Sequence, residues 1–388
     1  MLQAMNQEKH MITLAALSKA EIQTWRGQKF FCPACHEQVI VKAGERNIPH
    51  FAHQRNSRCP AVHKGEGPFH EKGKLRLFQW LRNQFADVGL ETYLQKLKQR
   101  PDILLRIGQK TIAVEFQCAK IPLREIRKRN SRYQLAGIRP IWILGANLFQ
   151  RKGKRYLSVN PFILTFLHQF RSSQPTALYF YCPDSNIMIQ ASDLHLISPH
   201  RAIACFSYFP LSAIRFTDIF HHFSFQRPML IRHWFQEKRT FRLRKRTYAK
   251  GRGKQWQHWL YQQRSTIDNL PAVVYLPVPS AYLFHTALWD WQSRICLGLL
   301  QYVPLNAHFT TTACEELLQN QLQAPSNFPM VKPLQHPISE YLSILCQLQI
   351  IKEEKPGCFR KVKELQQAKN IESALHEDQK LLNILLRQ

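Results

Sequence analysis

Apolar residues recur at helical spacing over residues 69–87, where Leu75, Leu77, Phe78, Trp80, Leu81 and Phe85 define one face. Pro68 suits the first turn of that helix and Gly89 stops it. Two short apolar runs follow, residues 103–107 and 111–116, joined by Gly108-Gln109, and they predict a hairpin. A charged helix over residues 123–136 and a buried strand over 139–144, closed by Gly145, come next. Helix, hairpin, helix and strand together predict an α/β core over residues 64–150. Upstream, residues 1–63 form a compact module. It has a strand at 12–17, a short helix capped by Ser18, a knuckle at 30–35 and a strand at 38–42. Residues 151–270 are basic and aromatic. Residues 271–388 regain helical periodicity, with an amphipathic helix at 338–348 and two short strands about Pro356-Gly357, an order that resembles a winged helix. The tail, residues 361–388, reads as a charged helix with a Leu/Ile stripe that packs or oligomerises.

Charge sharpens this picture. The 388 residues carry 54 Lys+Arg against 26 Asp+Glu, a formal charge of +28, so nucleic acid and anionic membranes are the first partners to consider. No uninterrupted run of ~18 apolar residues is present, and the first residues lack the layout of a signal peptide. A cytoplasmic protein that handles nucleic acid, with no membrane insertion, is the expected class. A 45% hydrophobic share with 14 glycines excludes a collagen-like or wholly disordered chain.

Three groups of residues carry candidate chemistry. Cys32-x2-Cys35 can offer two thiolates to one ion, and His50-x2-His53 can close a Cys2His2 zinc site, with Cys59 or His63 able to replace either histidine. The plainer alternative is a metal-free turn with packed thiols. Asp102 begins the first hairpin strand and Glu115-Phe116-Gln117 ends the second. Strand alternation puts Glu115 and Gln117 on one face with Phe116 turned into the core, and hairpin pairing brings Asp102 level with Glu115. Two acids and an amide there can hold Mg²⁺ or Mn²⁺ for phosphodiester hydrolysis, with Glu66, His70 and Lys74 nearby on the preceding helix. The alternative is a turn aspartate and a solvated strand-end glutamate. Finally, residues 227–264 hold twelve Lys/Arg and one acid, Glu237, interleaved with aromatics. Arg242, Arg244, Lys245 and Arg246 are the candidate phosphate contacts, either on a groove that stacks bases or on a solvated helix face.

In register, Cys32-Pro-x-Cys35, His50-Phe-Ala-His53, Glu66-x3-His70-x3-Lys74, Arg100-Pro-Asp102, Glu115-Phe-Gln117, Arg129-x3-Tyr133 and Ile141-Trp-Ile-Leu-Gly145 resemble the competence protein CoiA family. The resemblance covers residues 1–150 by motif and the rest by length and basic character. It implies a restriction-endonuclease-like core of the PD-(D/E)xK type behind a zinc-binding module, at work on incoming DNA in natural transformation. Asp102 and Glu115 match the metal-binding acids, Gln117 the position usually held by Lys, and Glu66 and His70 the acid and histidine of the first helix. It also implies DNA recombination with a RecA-type recombinase and a DprA-like loader as partners, and single-stranded or branched DNA as the ligand. Two functions follow as expectations: a Mg²⁺-dependent deoxyribonuclease, or a non-catalytic adaptor that helps load a recombinase onto single strands.

Overall fold

The computed structural model describes residues 1–14, 17–44, 48–54, 57, 59, 67–244, 250–331 and 336–387. They form two compact units, the first from residues 1–150, 178–191 and 206–221, the second from 151–177, 192–205 and 222–388. Two later segments, 178–191 and 206–221, return to the first unit after residue 150.

In the first unit, the N-terminal module is a five-stranded sheet in the order β2-β1-β3-β4-β5. Its strands are β1 (Gln3–Met5), β2 (Met11–Thr13), β3 (Phe30–Phe31), β4 (Gln38–Lys42) and β5 (His50–His53). The strand read over 12–17 is shorter than expected, and residues 15 and 16 lie outside the described residues. Helix α1 (Lys19–Trp25) starts as the sequence indicates. Ser18 accepts from the Glu21 amide and the Glu21 carboxylate accepts from the Ser18 amide, a reciprocal cap that satisfies two backbone donors. Phe30, Phe51 and Leu14 fill the module's core.

The α/β part follows with α2 (Pro68–Arg82), β6 (Val88–Leu90), β7 (Ile103–Ile107), β8 (Lys110–Gln117), α3 (Leu123–Leu135) and β9 (Ile138–Gly145). Helix α2 ends at Arg82 with Asn83 as its cap, earlier than the apolar period suggests. Then come β10 (Arg151–Lys152), β11 (Tyr156–Ser158), α4 (Pro161–Leu164), β12 (Ala177–Cys182), β13 (Ile187–Ser198) and β14 (Arg201–Pro210). The first unit's mixed sheet runs β14-β13-β12-β9-β8-β7-β6. β7 and β8 pair antiparallel, whereas β9 lies parallel to both β8 and β12. Gly108 makes the β7–β8 turn at φ +55°, a left-handed conformation that glycine takes without a Cβ penalty.

Helix α2 lies close against this sheet at Gly73. A Cβ there would sit 2.0 Å from the Phe116 ring, so glycine is what lets helix and strand approach. Gly73→Ala is expected to destabilise the protein by about 1–3 kcal/mol through overpacking, despite alanine's better helix propensity. A urea midpoint equal to or above the wild-type value would contradict this close packing.

In the second unit, β10, β11 and residues 201–203 of β14 form one antiparallel ladder. The helices are α4, α5 (Arg227–Leu243), α6 (Gly251–Gln262), α7 (Leu288–Ile295), α8 (Thr311–Leu318), α9 (Pro337–Gln347) and α10 (Ile371–Arg387). Strands β15 (His308–Thr310), β16 (Ile351–Lys355) and β17 (Cys358–Lys361) form a sheet in the order β15-β17-β16, with Gly357 at φ +74° in the β16–β17 turn. The aromatics of the basic segment are largely core. Trp234, Phe241 and Trp256 are buried and pack around Tyr275 and Trp289. No helix among the described residues is long and apolar enough to cross a membrane.

Candidate functional site

The register of the β7–β8 hairpin pairs Ile103 with Val114, which sets Asp102 level with Glu115 at the same end of the sheet. Both acids are buried, at 9% and 2% exposure. The two flanking helices each present a pair of side chains one turn apart. From α2, His70 Nε2 lies 3.6 Å and Lys74 Nζ 3.7 Å from Asp102 Oδ1. From α3, Arg129 Nη2 donates to both Glu115 oxygens, at 2.6 Å to Oε2, and the Tyr133 hydroxyl donates to Oε1. Asp102 Oδ2 also accepts the Phe116 amide at 2.8 Å. Lys74 is shared with Glu91, which faces Arg100 and accepts the Leu2 amide.

Electrostatics act on the two acids in opposite directions. Burial opposes ionisation of Asp102, yet His70 and Lys74 outweigh it and keep the carboxyl well below the usual carboxylate range. Burial pushes the Glu115 carboxyl up and the Asp102 charge adds to this, against the pull of Arg129 and Tyr133. Burial and the Glu115 charge keep the Tyr133 phenol well above its ordinary value, so it remains a donor. Asp102, Glu115 and Glu91 are thus met by His70, Lys74, Arg129 and Arg100. Such buried charges are tolerated only when paired and hydrogen-bonded.

The type of ligand expected for Mg²⁺ is present in Asp102 and Glu115, but the pairing does not form a ready magnesium site. That ion needs a near-octahedral oxygen set at about 2.0–2.1 Å. Here it would have to displace Arg129 from Glu115 and enter beside His70 and Lys74. Gln117, half-buried, donates its amide to the Ala119 carbonyl at 2.6 Å. Glu66 lies outside the described residues. Lys74, expected to contact DNA, is instead fully buried in the ion network, because its place on α2 faces the sheet.

One pH effect follows. Burial lowers the His70 pKa, but the nearby Asp102 charge outweighs it and holds it up, from 6.5 to about 10. A folded-state pKa raised in this way adds stability that is fully present below about 6.5 and lost as pH rises through about 10. The unfolding free energy of wild type is expected to fall over that window relative to His70→Gln. Parallel curves in denaturant titrations would contradict the His70–Asp102 pair.

The second cluster sits in the N-terminal module. Cys32, Cys35, His53 and Cys59 bring their ligand atoms within 4.8 Å of one another. Cys32 Sγ is 3.8 Å from Cys59 Sγ, and Cys35 Sγ is 3.4 Å from His53 Nε2. Sulfurs on a tetrahedral ion with bonds of about 2.3 Å are separated by about 3.8 Å, so this donor set fits a structural metal. The turn after β3 makes the fit. The His36 amide bonds the Cys32 carbonyl, His36 takes φ +59°, and the Ala34 amide points at Cys32 Sγ. Burial and the neighbouring thiols push Cys35 up to about 12, while burial keeps His53 below its ordinary value, neutral and able to ligate.

His50 is not part of this cluster. β5 is extended, so residues three apart point to opposite faces and lie about 10 Å apart. The ladder pairs His53 with Val39 beside the knuckle and His50 with Lys42 at the far end, where the His50 ring meets the Ile48 carbonyl. Cys59 takes the fourth place. His63 lies outside the described residues.

The basic segment is also rearranged. Arg242 is buried and grips Asp378 of α10 through Nε and Nη2, at 3.0 and 3.1 Å, with Lys238 on the same carboxylate. It therefore serves the core of the second unit rather than phosphate. Arg244 is exposed, and Lys245 and Arg246 lie outside the described residues. Sequence reasoning left three participants without a role. Arg129 and Tyr133 were legible only as the Arg129-x3-Tyr133 motif of the family resemblance, and Glu91, directly after β6, gave no signal at all.

Comparison with known proteins bears on all three regions. Family models described as the competence protein CoiA N-terminal domain, nuclease-like domain and C-terminal domain match residues 14–62, 66–224 and 230–375. The chain is 26% identical over 350 residues to the competence protein CoiA of Bacillus subtilis (strain 168), covering 88% of this chain and 92% of that relative. No solved structure matches.

Proposed function

Because the chain belongs to the competence protein CoiA family, with a nuclease-like domain over residues 66–224, we propose that it serves competence by binding DNA as an adaptor rather than by cutting it. One observation carries this reading. The two acids that hydrolysis would need are buried and already neutralised by Arg129, His70 and Lys74. A net charge of +28 supplies the attraction for a polyanion. The restriction-endonuclease-like core then holds the strand while a RecA-type recombinase or its loader engages it. In this reading Cys32, Cys35, His53 and Cys59 bind Zn²⁺, whose role is to fix the N-terminal module.

The order α7, β15, α8, α9, β16, β17, with β17 central in its sheet, supports a winged-helix-like reading of the C-terminal part. The exposed face of α9 carries Ser339, Ser343 and Gln347, without a cation, so DNA contact is not assigned to it. Metal-dependent hydrolysis is the second reading. It is favoured by the placement of Asp102 level with Glu115.

Fluorescence anisotropy of labelled oligonucleotides tests the binding claim. Wild type is expected to bind single-stranded and duplex DNA with log K falling steeply against log salt, and Glu115→Gln, checked for folding by its melt, is expected to retain that affinity. Affinity independent of salt would overturn the adaptor reading.

A further inference from the structure

We infer that the outer face of α3 is the surface that receives the DNA backbone, an assignment that rests on the DNA-binding reading above and gives it a location. Helix α3 holds Arg124, Arg127, Lys128, Arg129 and Arg132 against one acid, Glu125. Arg129 turns inward to Glu115. Arg124 and Lys128 are exposed and Arg127 and Arg132 half-buried, and among the described residues none of the four has a carboxylate within ion-pair distance.

Arg124, Lys128 and Arg132 are successive i, i+4 neighbours, so they form one stripe with charges about 6 Å apart along the axis. Like charges at this spacing destabilise an isolated helix by about 0.2–0.5 kcal/mol per pair. The arrangement is therefore unfavourable on its own and relieved by a polyanion lying along it. A second observation also points to an acceptor from outside the chain. The Nε of Arg127 is buried and has no hydrogen-bond partner among the described residues. It is a donor for which the described residues supply no acceptor, and phosphate oxygens are strong acceptors for guanidinium groups. The flank is of one sign as well. Lys96 and Lys98 are exposed, and Arg132 Nη1 reaches the Lys98 carbonyl at 3.5 Å, which places that loop beside the stripe.

The position has a consequence for the buried acids. The helix that offers the stripe is the one that carries Arg129 and Tyr133, so a strand bound on its outside lies one helix away from Glu115 without touching it.

The test is the salt dependence of oligonucleotide binding by the full chain with Arg124→Gln, Lys128→Gln and Arg132→Gln combined. A matched control neutralises Arg151, Lys152 and Lys154, three exposed cations of the second unit. Each lost phosphate contact lowers the slope of log K against log salt by about 0.7 for a single strand, so the α3 variant is expected to be shallower by about 2. The control is expected to keep the wild-type slope, and replacing the same α3 positions conservatively (Arg124→Lys, Arg132→Lys) to keep most of the affinity. An unchanged slope in the α3 variant, or an equal loss in the control, overturns this assignment while leaving DNA binding itself standing. If wild type fails to bind DNA in a salt-dependent way, the underlying reading falls and this one with it. Preferential binding of the wild type to anionic phosphatidylglycerol vesicles over DNA would also overturn it.

Discussion

Arg129→Ala is expected to lower the unfolding free energy by about 3–5 kcal/mol, the cost of leaving one partner of a buried ion pair without the other. Glu115 is 2% exposed and receives both of its charged hydrogen bonds from α3, so solvent cannot substitute for the guanidinium. Tyr133→Phe removes one donor to the same carboxylate and is expected to cost less, about 1.5–3 kcal/mol. Adding Glu115→Gln to Arg129→Ala removes the stranded charge, so the double variant is expected to be more stable than Arg129→Ala alone. Urea unfolding followed by tryptophan fluorescence reads all of these. A loss below about 1 kcal/mol for Arg129→Ala would mean that the pair is a surface-like contact and that Glu115 is free for other ligands.

Loss of the cysteine–histidine metal is the other large effect. Wild type is expected to carry one tightly held metal per chain, and Cys59→Ala to lose it, because the cluster depends on all four ligands. Structural zinc in small modules contributes about 10–16 kcal/mol of apparent binding energy, and a metal in this cluster would stabilise a sheet of very short strands. Hydrogen exchange is expected to accelerate across β3, β4 and β5 in Cys59→Ala or after chelation, while β7, β8 and β9 keep their protection. His50→Ala discriminates between ligand sets. It is expected to retain the metal, because His50 stands at the opposite end of β5 from His53. Metal lost from His50→Ala but kept by Cys59→Ala would invert the assignment.

What could be read in the sequence was local. The Ser18 cap, the Gly108 turn, the 103–117 hairpin and the Pro356-Gly357 turn are written in adjacent residues, and each stands where its chemistry placed it. The juxtaposition of Asp102 and Glu115 was also legible, since hairpin register is set by the turn. Their state was not. It depends on two helices that arrive from either side of the hairpin in the chain, bringing His70, Lys74, Arg129 and Tyr133 to acids far away in sequence. The cysteine–histidine cluster shows the same limit. A two-residue spacing suits a turn, but on an extended strand it separates His50 from His53, and Cys59 enters from beyond. Arg242 sits in a basic run and is nonetheless core, because Asp378 on α10 covers it.

Cleavage of end-labelled single-stranded, duplex and branched DNA with Mg²⁺ or Mn²⁺, wild type beside Asp102→Asn and Glu115→Gln, addresses the central claim most directly. With the acids neutralised from within, all three proteins are expected to bind the DNA and leave it intact. Cutting by the wild type that disappears in both folded variants would contradict the adaptor role and establish Asp102 and Glu115 as a working hydrolytic site.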